Sequence, residues 1–291
     1  MRSDVETAFL PPRHLVADTA FGPITSAVYE VDGPDELPPL VLLHGLGAWS
    51  YTWRHVFTAL TGRRRAVAVD LMGHGATEAP RRADYSPRGL LHHVEAVLAE
   101  MAIHRAVWVG NSLGGGLALL EAIERPEAVA GLVLLAPAGY PQNMPRSLAL
   151  LRWPGAPWAL HWFPARLIVR GILSRVIFYD PEAMLTPELV ERYTTPLTER
   201  ARRRGVLEAG GRLWPKDLDD IAARVPTIEA PTLVVWGEAD RVTPPALADR
   251  YRREIARSRL VMLPRCGHVP QEERPAEVEE ALSAFLDSLP E

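Results

Sequence analysis

The sequence predicts an α/β fold: a mostly parallel central sheet, helices on both of its faces, and a helical insertion in the second half of the chain. Three observations lead there. Apolar runs of five or six residues recur at 39–43, 66–71, 106–110, 131–136, 232–236 and 259–263. Runs of that length, apolar at nearly every position, read as buried strands of a parallel sheet. Stretches of helical spacing separate most of them, and strand–helix alternation argues for crossover connections. The alternation stops between about 138 and 228, a Trp-, Pro- and Arg-rich stretch without a clear strand.

Taken in order, residues 22–31 alternate and carry β-branched side chains, so they read as an early strand that Asp32-Gly33-Pro34 ends. The run 39–43 is a buried strand closing at His44-Gly45, and 50–60 has helical spacing with Trp53, Val56, Phe57 and Leu60 on one side. After the strand at 66–71, a helix over 87–102 follows Ser86 as N-cap, with Pro87 at its first position. The strand at 106–110 leads into a helix over 113–124, and Pro126 lies just beyond it. Strands at 131–136, 232–236 and 259–263 follow, and a last helix over 275–288 places Val278, Leu282, Phe285 and Leu286 on one face. The expected organisation is a core formed by 1–137 and 229–291, with 138–228 inserted as a helical cap.

Composition narrows the function. A chain of 291 residues, 47% apolar, buries about three-quarters of its unfolded surface. The net charge of −4 argues against a nucleic-acid partner, which calls for a basic stripe. The runs Arg63–Arg65 and Arg202–Arg204 read as solvated faces. Cys266 is the single cysteine, so no intramolecular disulfide forms and a reducing compartment fits. Met1–Pro12 has no apolar run of the secretory kind, and no stretch of about 18 apolar residues occurs. Arginines and prolines interrupt the apolar segment 148–179, which suits short helices. The expectation is a cytoplasmic protein with a small-molecule substrate and no membrane span. Homo-oligomerisation is left open. No Cys/His cluster calls for a metal, and nothing calls for an organic cofactor.

Gly110-Asn111-Ser112-Leu113-Gly114 is G-x-S-x-G between a predicted strand and a predicted helix. A serine on so tight a turn is held in a strained conformation, and residues two before and two after it approach each other closely, so both must be glycine. The turn lifts the serine to the C-terminal edge of the strands, where open α/β sheets bind ligands. A phosphate loop is excluded, because its lysine is missing.

A serine hydroxyl needs a base. Of the nine histidines, His268 alone sits in a loop, Cys266-Gly267-His268, between the last strand and the last helix, at the same sheet edge. His92 and His93 fall within a helix. The imidazole needs an acceptor on its other nitrogen. Asp240, in Gly237-Glu238-Ala239-Asp240 after the strand at 232–236, supplies it, with Glu238 a weaker candidate in the same turn.

The chain order Ser112, Asp240, His268 resembles the triad of the α/β-hydrolase fold, and the resemblance extends over about 22–288. His44-Gly45-Leu46-Gly47 resembles the family's oxyanion loop, and Asp70-Leu71-Met72-Gly73-His74-Gly75 its usual turn after the next strand. The resemblance implies backbone N–H donors for an oxyanion from Leu46 and Leu113, and bracing roles for His44, Asp70 and His74. It implies a serine hydrolase cleaving carboxylic esters through an acyl-enzyme. Trp153, Trp158, Trp162, Phe163 and Phe178 are expected to line an apolar pocket, so apolar acyl or aromatic esters are the expected substrates. Serine at 112 argues against the dehalogenase and epoxide-hydrolase relatives, which carry aspartate there. Three alternatives share the scaffold: a carbon–carbon bond hydrolase of meta-cleavage products, a cofactor-free perhydrolase, and a non-catalytic small-molecule receptor. The first resembles this chain at Gly110-Asn111-Ser112. Its usual Gly-Pro-Gly element is replaced here by Leu46-Gly47-Ala48.

Overall fold

A computed structural model describes residues 10–141 and 164–289. The first half contains β1 (Arg13–Thr19), β2 (Gly22–Val31), β3 (Leu40–Leu43), α1 (Arg54–Leu60), β4 (Ala66–Val69), α2 (Pro87–Glu100), β5 (Ala106–Asn111), α3 (Leu113–Glu124) and β6 (Val129–Leu135). Between β6 and the next strand the described residues are helical: α4 (Ala165–Ile172) running into a π-turn over Leu173–Ile177, α5 (Pro181–Met184), α6 (Pro187–Thr194), α7 (Arg200–Gly211) and α8 (Leu218–Arg224). The chain closes with β7 (Thr232–Gly237), α9 (Ala246–Glu254), β8 (Ser258–Leu263), α10 (Pro270–Glu273) and α11 (Pro275–Leu286).

The eight strands form one sheet in the order β1-β2-β4-β3-β5-β6-β7-β8. Every pairing from β4 to β8 is parallel, while β2 pairs antiparallel with both β1 and β4. Alternation along each strand divides the core into two layers. Val41, Leu43 and Trp108 point to the layer covered by α2, α3 and α9, where Leu90, Val94, Leu117 and Tyr251 are buried. Leu40, Leu42, Val107 and Val109 point to the other layer, covered by α1 and α11 through Phe57, Leu60, Leu282 and Phe285. A third cluster lies outside the sheet. It joins Val169, Leu173, Phe178, Leu189 and Tyr193 of the helical segment to Tyr51 and Val269.

Where the sequence-based elements were read, they agree with the observed ones in type; β2 and α3 also match in their bounds, and others differ at their ends. The helix expected over 50–60 is a 3₁₀ turn, Ser50–Trp53, followed by α1. The strand expected over 66–71 ends at Val69; Asp70 still donates its N–H to the Ala27 carbonyl at 3.1 Å while its side chain builds the following turn. β1 was not legible: its burial alternates, with Leu15, Ala17 and Thr19 turned inward, but exposed Val16 between Leu15 and Ala17 hides that period in the sequence. The arginine runs are not fully solvated faces. Arg64 is buried and donates to the Pro38 carbonyl at 3.3 Å, and Arg65 pairs with Glu30 at 2.7 Å. Arg202–Arg204 are half-buried: Arg202 and Arg204 donate to backbone carbonyls of the loop 76–79, and Arg203 donates to the Leu197 carbonyl at 2.9 Å.

The strand order determines where a ligand fits. The chain runs from β3 outward to β4, then returns across β3 to place β5 on its other side. The loops leaving the C-terminal ends of β3 and β5 therefore diverge to opposite faces and leave a crevice between them. Residues 44–47 and Ser112 lie at that crevice.

Candidate functional site

Ser112 joins β5 to α3 with φ 53° and ψ −115°, a left-handed conformation that L-residues rarely adopt. Such a residue stores roughly 1–3 kcal/mol and persists only where its surroundings hold it. Here Ser112 N–H donates to the Leu135 carbonyl at 3.1 Å, and its own carbonyl accepts from Gly116 at 3.0 Å and Ala138 at 2.9 Å. The turn is closed by backbone contacts that leave no room for side chains. A Cβ on Gly110 would lie 2.3 Å from the Gly114 carbonyl, and one on Gly114 would lie 2.1 Å from the Leu43 carbonyl oxygen. Because those neighbours are backbone, relaxation is costly. Gly110→Ala is expected to lower stability by about 3 kcal/mol or more, read as a lower urea midpoint. A midpoint equal to wild type would show that the turn tolerates a side chain.

Asp240 and His268 meet directly. His268 Nδ1 lies 2.8 Å from Asp240 Oδ2, and both side chains are buried. Asp240 stands in the turn after β7. Its Oδ1 accepts from the N–H groups of Val242 at 2.7 Å and Thr243 at 3.1 Å, and its Oδ2 also accepts the Thr243 hydroxyl at 2.8 Å. A carboxylate offers about four lone-pair sites, and all are engaged, so its direction is set. Because the carboxylate accepts at Nδ1, the imidazole carries its proton there and presents the Nε2 lone pair outward. Glu238, the weaker candidate, lies earlier in the same turn, with its backbone N–H bound to the Leu263 carbonyl.

Asn111 draws the histidine loop to the serine. Its Nδ2 donates both to the Leu135 carbonyl at 3.0 Å and to the His268 carbonyl at 3.1 Å. The side chain next to Ser112 thus holds the backbone of His268 at the same rim. The loop after β3 completes the arrangement: a Cβ on Gly45 would stand 3.3 Å from Ser112 Cβ. Leu46 follows in that loop. Leu113 opens α3, and first-turn N–H groups of a helix have no acceptor within it.

His44 is a brace. Its Nδ1 donates to the Gly45 carbonyl at 2.8 Å and its Nε2 accepts the Leu71 N–H at 3.0 Å. Burial pushes its pKa down to about 3, with His74 adding to the effect, so it stays neutral between the two loops. Burial likewise lowers His74 to about 4. Asp70 is buried and accepts the N–H groups of Ser50 and Ala76, each at 2.8 Å, tying three loops together.

Of the aromatic residues expected around a pocket, Trp153, Trp158, Trp162 and Phe163 lie outside the described residues. Phe178 is buried in the third cluster, and the carbonyl of its neighbour Ile177 accepts the His268 N–H at 2.9 Å. Sequence reasoning missed several residues around the pair. Thr243 has a readable signal, an Asp-x-x-Thr turn. Glu272 and Glu273 had none, since adjacent acids before a helix read as solvated caps. Instead Glu272 is buried against Thr52, Arg54 and Tyr193, and Glu273 is half-buried against Gly267 and Tyr179. Burial pushes the Glu273 carboxyl up to about 7, although those N–H groups pull it down.

A strained serine at the switch point of a mostly parallel sheet, beside a buried His–Asp pair, defines a hydrolase-type architecture. The chain belongs to the alpha/beta hydrolase family, whose sequence profile matches residues 40–281. It is 31% identical over 255 residues to a 2-hydroxymuconate semialdehyde hydrolase from a Pseudomonas species, covering 85% of this chain and 86% of that one. A meta-cleavage product hydrolase from Pseudomonas fluorescens superposes with a TM-score of 0.77 at 25% identity, covering 94% of this chain and 97% of the other. A thermophilic esterase from Thermogutta terrifontis shares the fold, with a TM-score of 0.78 at 21% identity over 94% and 98% of the two chains. No helix among the described residues is long and apolar enough to cross a membrane.

Proposed function

We propose that Ser112, His268 and Asp240 form a catalytic triad that hydrolyses a carboxylic ester of a small apolar molecule. In this reading Ser112 Oγ attacks the carbonyl carbon and its proton passes to His268 Nε2. The N–H groups of Leu46 and Leu113 hold the oxyanion, a contribution of about 2.7–4 kcal/mol per donor in comparable sites. His268 then protonates the departing alkoxide, and water activated by the same nitrogen releases the acid. The observation that carries the reading is the 2.8 Å bond between His268 Nδ1 and Asp240 Oδ2, because it leaves Nε2 as the basic nitrogen. The helical segment 164–227 acts in this reading as a cap.

A second reading, hydrolysis of a carbon–carbon bond beside a carbonyl, is favoured by the two Pseudomonas relatives. It uses the same nucleophile and base on a different leaving group. The two readings separate on a panel of p-nitrophenyl esters of increasing acyl length together with a meta-cleavage diketone, each run with wild type and Ser112→Ala. Serine-dependent turnover of the esters supports the first. Turnover of the diketone alone replaces it with the second. Turnover that survives in Ser112→Ala places the chemistry elsewhere.

A further inference from the structure

The loop that carries His268 is fastened to the helical segment rather than to the sheet alone. Two elements contribute. The π-turn after α4 ends at Ile177, whose carbonyl accepts the His268 N–H at 2.9 Å. The last residue of α10, Glu273, then bridges the two segments: its Oε1 accepts the Gly267 N–H at 2.9 Å and its Oε2 accepts the Tyr179 N–H at 2.7 Å. The approach is close enough to require glycine at 267, where a Cβ would stand 2.3 Å from the Ile177 carbonyl oxygen and 2.8 Å from Glu273 Oε1.

The consequence lies in what sits between the fastened points. Phe178, flanked by Ile177 and Tyr179, is buried beside Val269, which follows His268 in the chain. Gly267 and His268 on one strand of chain, and Ile177 and Tyr179 on the other, are thus joined by one direct backbone bond and one two-armed carboxylate. A carboxyl group has two oxygens, and here each accepts from one backbone N–H, so a single side chain holds both segments at once. Glutamine, of the same length, has one oxygen and an NH2 donor, so it accepts at only one of the two positions.

We propose that Glu273 is a positioning residue, clamping the 177–179 segment to the His268 loop so that the base is held in one place relative to Ser112. It acts through His268 and does not touch substrate. The proposal rests on the reading of His268 as the base. Loss of the clamp lets the imidazole drift relative to Ser112, and misplacement of about 1 Å costs up to roughly 100-fold in rate.

The test compares wild type, Ser112→Ala, Glu273→Gln and Glu273→Ala as full chains. Two readouts are taken: the rate of Ser112 labelling by an alkyl fluorophosphonate, and kcat and KM on p-nitrophenyl acetate normalised to the labelled fraction. Glu273→Gln keeps the shape and one acceptor, so it guards against a variant that fails to fold. The expected result is a labelling rate and a kcat lower by about 10- to 100-fold in Glu273→Ala, with Glu273→Gln intermediate and KM within about threefold of wild type. A purely structural role would reduce the labelled fraction and leave the normalised kcat unchanged, which overturns the proposal. If wild type is not labelled at Ser112, the triad reading falls and the proposal with it. If wild type is labelled, and both Glu273 variants react at its rate, only the proposal falls.

Discussion

Replacing Ser112 with alanine is expected to reduce kcat for any ester the protein turns over by about five to six orders of magnitude. The size follows from how the groups depend on one another. Without the hydroxyl, the Nε2 lone pair of His268 has nothing to activate but water, and the strained turn holds a methyl group. His268→Ala is expected to cost nearly as much, since the serine then has no base. Asp240→Asn is expected to cost about four orders of magnitude, because an amide in that place reverses the tautomer of the imidazole. The decisive measurement is the double variant. Ser112→Ala/His268→Ala should be no slower than Ser112→Ala alone, because each removes the same step. Multiplicative losses would mean that the two side chains act in different steps. A residual rate about 10³–10⁴ above water is expected in all of them if the donors of Leu46 and Leu113 still bind the oxyanion.

The second large effect is expected at Arg54, in a place with no role in the proposed chemistry. Arg54 and Glu272 are both buried, and Nη1 lies 3.1 Å from Oε2. The carboxylate also accepts the Thr52 hydroxyl at 2.6 Å and the hydroxyl of Tyr193, which belongs to α6. Burial by itself would lower the Arg54 pKa, but the Glu272 carboxylate outweighs it and holds the guanidinium above its ordinary range. The guanidinium also covers the Tyr51 ring at 4.5 Å, and Trp49 stacks on Tyr51 with centroids 5.4 Å apart. Arg54→Met fills similar space and leaves Glu272 a buried carboxylate without its counter-charge. The expected loss is about 3–5 kcal/mol in urea denaturation. Arg54→Met/Glu272→Gln should recover a large part of it, since the stranded charge is then gone. If the single variant loses less than about 1 kcal/mol, the pair does not carry the weight its burial suggests. Because Tyr193 comes from the helical segment, this network is a second place, besides the Glu273 clamp, where core and segment meet through buried polar groups.

The parts of this protein that were legible in the sequence are those in which local chemistry suffices. The parallel strands are mostly buried and mostly apolar, so six of the eight were readable as short runs, the edge strand β8 by its Leu260–Leu263 stretch, and β2 by its alternation. α3 was read with its observed bounds, Leu113–Glu124, because the glycine-rich turn and Pro126 mark both ends. The edge strand β1 was not, since the exposed Val16 between Leu15 and Ala17 masks its alternation. At the site, Ser112, Asp240 and His268 each stand in a turn whose spacing from a strand end can be counted along the chain, so they could be named before their geometry was known.

What the sequence by itself determined, then, is which residues stand at the C-terminal rim of the sheet: the glycines that allow the Ser112 turn, the aspartate after β7 and the histidine after β8. What only the tertiary structure decided is how those loops are held. The Asn111 amide reaching the His268 carbonyl, the Glu273 carboxylate joining Gly267 to Tyr179, and the Glu272–Arg54–Tyr193 network span from 79 to 218 positions in sequence at their widest contacts, apart from the six-residue reach to Gly267. The physical reason is that a buried carboxylate and a solvated one look alike in a sequence. Burial depends on which distant segment folds over the group, and that is a property of packing.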